Sequence, residues 1–105
     1  MSTSTVTVPK KTLSMLMRFI DEEISRLRSE LGVVDEELRL FEKKYKVQSS
    51  EFIEMLKGEK EWALPEGSEP DVVEWEALLE QRRRLEKRLR ELEELWRQLQ
   101  DYSKY

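Results

Sequence analysis

The stretch TLSMLMRFIDEEISRLRSELGVVDEELRLFEKKYK, residues 12–46, decides the fold. Within it Leu13, Met17, Ile20, Ile24, Leu27, Leu31, Val34, Leu38, Phe41 and Tyr45 follow one another at alternating spacings of four and three residues. That spacing returns every apolar side chain to one side of a helix and is the a/d seam of a coiled coil. Gly32 interrupts the composition but not the register: it falls in an exposed slot, where it costs about 1 kcal/mol relative to Ala. The pattern predicts one helix over residues 12–46, about 50 Å long at 1.5 Å per residue, with Thr12 as its N-cap.

A second seam runs through Trp75, Leu78, Arg82, Leu85, Leu89, Leu92, Trp96 and Leu99, apolar at every position except Arg82. It predicts a helix over residues 71–102, about 45 Å long. Asp71 with Glu74 three residues on has the capping-box spacing, and Ser68 is the alternative cap. Between the seams, Val47-Gln48-Ser49-Ser50 breaks the register. Ser49 or Ser50 then caps a short helix over residues 51–57, which buries Phe52, Ile53, Met55 and Leu56 and stops at Gly58. Residues 60–70 hold Trp62, Leu64, Pro65, Gly67 and Pro70 and read as a loop. The expected fold is all-α, one elongated domain over residues 1–105. Its two long antiparallel coiled-coil-like helices are joined by a short helix and a loop.

Residues 1–11 stand apart. Thr3, Thr5 and Thr7 alternate with Val6 and Val8, the strand signal of this sequence, and Pro9 ends it. A lone strand leaves its ladder groups without partners, so the segment is either a disordered tail or pairs with a copy of itself. With Lys10 and Lys11 it also makes a candidate DNA-reading element, Thr3, Thr5 and Thr7 toward the bases and the lysines toward phosphates. A helix as long as residues 12–46 fits a ribbon-helix-helix-like DNA binder poorly.

Composition narrows the chemistry. The 105 residues contain no His and no Cys, so imidazole acid-base catalysis, thiol nucleophiles, thiolate metal sites and disulfides lack their parts. Glu51/Glu54 and Glu91/Glu94 have helical spacing but lie on charged faces without further inward ligands. The expectation is a non-enzymatic protein with no cofactor and no metal. Charged residues make up 40% of the chain and Asn is absent, a long-helix composition that leans toward thermophile usage. No run reaches the length of an apolar membrane span and no signal-peptide core opens the chain, so a cytoplasmic protein is expected.

The formal net charge of −4 conceals sorting. Lys10, Lys11 and Arg18 form a basic head. Glu61, Glu66, Glu69, Asp71, Glu74, Glu76 and Glu80 follow with no Lys or Arg among them, and then Arg82, Arg83, Arg84, Lys87, Arg88 and Arg90 come against Glu86 alone. The basic band is laced by i,i+4 acids such as Glu80 with Arg84 and reads as an exposed helix face. Arg82 sits in the seam itself, where a charge sets register or partner choice, and should face an acid on the other helix or on another chain. Apolar residues also spill out of the first seam to Leu16, Phe19, Val33 and Leu40. The last three share a slot of the heptad, and with Arg82 they mark the expected face of a homo-oligomer.

The segment from Leu38 to Leu92 resembles a family of small prokaryotic antitoxin-type proteins of two-component toxin-antitoxin modules. The features that carry it are Leu38 with Phe41-Glu42-Lys43-Lys44-Tyr45, then Ser49-Ser50-Glu51-Phe52, the Gly58 turn, Asp71 before Glu74-Trp75, and Leu78 opening a Leu-rich helix. Lys46 stands where the family phrase usually carries Gly, and the loop over residues 60–70 is longer and richer in Pro. The resemblance implies neutralisation of a cognate toxin, a nuclease or nucleotidyltransferase, by protein-protein contact, and allows repression of its own operon. A loop Trp beside one-sign acids is the makeup of an interface anchor, which places partner contact for a basic toxin at Tyr45, Phe52, Trp62, Glu69, Asp71, Glu74 and Trp75. The rival readings are a structural coiled-coil adaptor and the ribbon-helix-helix-like DNA binder.

Overall fold

A computed structural model describes residues 8–104. Thr3, Thr5, Thr7 and the expected strand lie outside the described residues. Three helices follow in order: α1 (Lys10–Tyr45), α2 (Ser49–Leu56) and α3 (Glu69–Ser103). The two long helices, each a little over 50 Å at 1.5 Å per residue, pack against each other as an antiparallel hairpin. Opposed pairs show the sense: Val8 meets Tyr102 at one end, Arg28 meets Glu93, Asp35 meets Arg82, and Lys44 meets Asp71 at the other. Among the described residues no helix is long and apolar enough to cross a membrane.

Every position of both seams is buried or half-buried, because a 3.6-residue turn keeps them on the face turned to the partner helix. Gly32 lies in open space on the exposed side, and the helix runs through it. The core divides in two. At the closed end Val34, Leu38, Val47, Phe52, Met55, Leu64, Trp75 and Leu78 form one cluster. Toward the open end Ile20, Ile24, Leu27 and Leu92 form another, flanked by Leu85, Leu89, Trp96 and Leu99. Arg82 lies beside the gap between them and bonds Asp35 of α1 at 3.3 Å as well as Glu86 at 2.9 Å. Its acid is therefore on the other helix of the same chain.

The helix ends differ from the expected caps. α1 starts at Lys10, so Lys10 and Lys11 belong to the helix and Thr12 caps nothing. Pro9 takes the N-cap position with φ −57° and ψ 145°; its ring fixes φ, and its carbonyl accepts the Leu13 N–H at 2.9 Å. At the other end Lys46 adopts φ 55° and ψ 39°, the one left-handed non-glycine residue described. Its N–H closes the helix on the Glu42 carbonyl. A side chain in this region crowds the following carbonyl at a cost of about 1–2 kcal/mol, which is why Gly suits this position. Lys46→Gly should raise stability by about 0.5–1 kcal/mol after the added freedom of the unfolded chain is subtracted, read as a higher urea midpoint at unchanged m-value.

Candidate protein-binding face

Three features build the closed end: an aromatic stack, the polar groups that orient it, and the loop laid over it. Phe41 and Tyr45, one turn apart on α1, point at Trp75 of α3, while α2 delivers Phe52 from the other side. The Trp75 ring is stacked on Phe52 at 4.1 Å between centroids with 5° between planes, on Phe41 at 5.6 Å and 12°, and near Tyr45 at 6.0 Å and 20°. Phe52 and Trp75 are fully buried. They hold the head together and offer no surface to a partner, contrary to the sequence-based expectation.

A buried indole N–H requires an acceptor. Trp75 Nε1–H donates to Ser49 Oγ at 3.0 Å, and this bond turns the Ser49 hydroxyl away from its expected capping role. Glu42 takes that role from α1: its carboxylate accepts the Ser49 N–H at 2.8 Å at the first turn of α2. Asp71 is likewise diverted. It lies in the first turn of α3, which starts at Glu69 after Ser68, and it forms no capping box with Glu74. Instead Asp71 accepts hydrogen bonds from Lys44 Nζ at 2.6 Å and from the Tyr45 hydroxyl. The Lys44 ammonium, then the Tyr45 hydroxyl, hold the Asp71 carboxyl below the usual carboxylate range. The ionised Asp71, accepting a hydrogen bond from each, pushes both Tyr45 and Lys44 upward. The Phe-Glu-Lys-Lys-Tyr phrase, the Ser-Ser-Glu-Phe phrase and the Asp71 to Trp75 phrase are thus parts of one folded cluster.

The loop from Lys57 to Ser68 closes over that cluster. Gly58 and Gly67 turn it with φ 75° and 87°. Leu64 is buried in the core and Ser68 Oγ–H donates to the Pro65 carbonyl at 2.7 Å. Lys60 Nζ ties the loop to Glu51 of α2 at 2.6 Å and holds that carboxyl low. Trp62 remains at the surface, 47% exposed, its ring tilted 50° against Phe52 at 6.5 Å. The indole leans on the core and keeps about half of its surface in solvent.

The acids near it in sequence point to solvent. Glu61, Glu66, Glu69, Glu74 and Glu76 are all exposed, and none of them enters an ion pair among the described residues. Glu80 differs: Arg83 and Arg84 hold it within the helix. Of the residues expected to meet a partner, Trp62, Glu69 and Glu74 are available at the surface, Tyr45 and Asp71 are half-buried and bonded to each other, and Phe52 and Trp75 are inside. Sequence reasoning passed over Glu42, whose capping role depends on how α2 folds back. Phe19, Val33 and Leu40 lie exposed along α1, outside the buried cluster of this head, and Lys10 and Lys11 are exposed at its start.

No curated protein and no solved structure matches this chain. A family model does match, over residues 6–97, which takes in α1, α2, the loop and nearly all of α3. The chain belongs to the family described as "Uncharacterized protein MJ0235 family".

Proposed function

We propose that this protein is a non-enzymatic, antitoxin-like binding protein that captures a basic partner protein through the closed end of the hairpin. The observation that carries the reading is a half-exposed Trp62, seated on a rigid aromatic core, in a stretch whose five exposed acids enter no ion pair among the described residues. An indole of this kind provides buried contact area at small entropic cost because its inner face is already fixed. The acids supply a field of one sign that steers a basic surface toward it, including the nucleic-acid-holding surface of a toxic nuclease or nucleotidyltransferase. The resemblance to antitoxins of toxin-antitoxin modules supports the choice of partner class. Its motifs act here by building the platform on which Trp62 rests.

The test is capture of the protein encoded next to this chain. Trp62→Ala should weaken binding at least about 30-fold, equivalent to about 2 kcal/mol, with little change in melting because Leu64 pins the loop. Reversing Glu66, Glu69 and Glu74 to Lys should slow association in stopped-flow measurements and leave helicity intact; Asp71 is excluded because it holds Lys44 and Tyr45. Binding should also weaken as salt rises. Wild-type rates and affinities in both variants, or capture indifferent to salt, would sink this reading and leave a self-assembling adaptor in its place.

A further inference from the structure

The hairpin has two long edges; Lys44 with Asp71 closes one of them at the closed end, and along the middle the ion pairs across the helices at bonding distance among the described residues lie on the other. On that edge Arg28 meets Glu93 at 2.9 Å and Asp35 meets Arg82 at 3.3 Å. The opposite edge is marked by Glu23 and Arg88, close enough for Arg88 to act on the Glu23 carboxyl after the dominant bond from Arg26. Heptad spacing extends this edge: Leu16 lies seven residues before Glu23 and Leu95 seven after Arg88. Phe19, Val33 and Leu40 occupy the adjoining row of α1. All five of these apolar residues are exposed, Phe19, Val33 and Leu40 by more than half. A face about 40 Å long and two helices, about 20 Å, wide amounts to about 800 Å² per copy, the size of a specific dimer interface.

Charge on this face is divided between the helices. The rows of α1 on this face carry Glu23, Glu30 and Glu37, with Arg26 clamped between the first two. The rows of α3 carry Arg84 and Arg88 in the middle, with Glu91 beyond them. Packing α1 on α1 would set acids against acids, whereas packing α1 on α3 sets acids against bases.

We propose that a second copy of this chain covers this face, related by a twofold axis parallel to the hairpin, so that α1 of each copy packs antiparallel on α3 of the other and a four-helix bundle forms. Such an axis preserves height along the bundle. Residue 19 lies between the levels of the Val8/Tyr102 and Arg28/Glu93 pairs, so Phe19 meets Leu95 of the second copy. The acids of α1 then face Arg84 and Arg88 in the middle. An isologous contact of this kind closes on itself and yields a dimer, not a filament. It does not use Trp62 and is independent of partner capture.

The chain has no cysteine, which makes cross-linking decisive. Phe19→Cys and Leu95→Cys, purified separately and mixed under oxidising conditions, should form a disulfide between the two variants. Cross-linking of Phe19→Cys to Leu40→Cys in its place would mean that α1 packs on α1 and would overturn the proposal. Sedimentation equilibrium of the full chain at micromolar concentration should give a dimer, and Phe19→Glu or Leu95→Glu should give monomers with undiminished helical circular dichroism. A wild-type monomer, or dimers that survive both Glu substitutions, would overturn it equally.

Discussion

Trp75→Ala should remove most of the stability of this protein, with a loss of about 4–6 kcal/mol in urea unfolding at fixed protein concentration. Emptying a fully buried Trp site costs about 3–5 kcal/mol through lost transfer energy and the residual cavity. The Trp75 ring also stacks on Phe52 and Phe41, and each such pair adds about 0.5–1.5 kcal/mol beyond its buried area. Ser49 Oγ, itself buried, loses the N–H that it accepts. Domains of this size have about 5–15 kcal/mol in total, so the head formed by α2, the loop and the start of α3 should come apart first. Trp75→Phe separates the contributions. It keeps an aromatic ring between Phe41 and Phe52 but abolishes the bond to Ser49, and should cost about 1–2 kcal/mol. Equal losses in the two variants would mean that the hydrogen bond, not the stack, organises the closed end.

Leu27→Ala should cost about 2–5 kcal/mol and should act on the other half of the molecule. Leu27 is 2% exposed and packs with Ile20, Ile24 and Leu92, a cluster distinct from the one around Trp75, with Leu85 packed against both. An antiparallel hairpin has no third layer at this level, so little else in the chain can collapse into the space. Native-state hydrogen exchange should show protection lost in the first half of α1 and the last half of α3, while amides around Phe52 and Trp75 stay protected and Trp75 keeps its buried emission. Such division into units follows wherever apolar clusters are joined by few contacts. Uniform loss of protection would show that the two clusters unfold as one.

The existence, class and approximate extent of the long helices were legible in the residues, because helical period is a local property. Leu13 to Tyr45 and Trp75 to Leu99 return to one face regardless of what that face meets. The left-handed position at Lys46 was marked only by comparison with a phrase that carries Gly there. The destinations of the polar and aromatic side chains at the closed end were not legible. Asp71 and Ser49 each satisfy a capping pattern, yet the fold brings Lys44 and Tyr45 to the first and the Trp75 indole to the second. A long-range bond that satisfies a buried donor outweighs a local cap, since an unsatisfied buried group costs about 1–3 kcal/mol and a helix end can find another acceptor, here Glu42. Trp62 and Trp75 part on another ground: Trp75 holds a seam position on α3 and stacks on the buried Phe52, while Trp62 lies in the loop, tilted against Phe52 and 47% exposed.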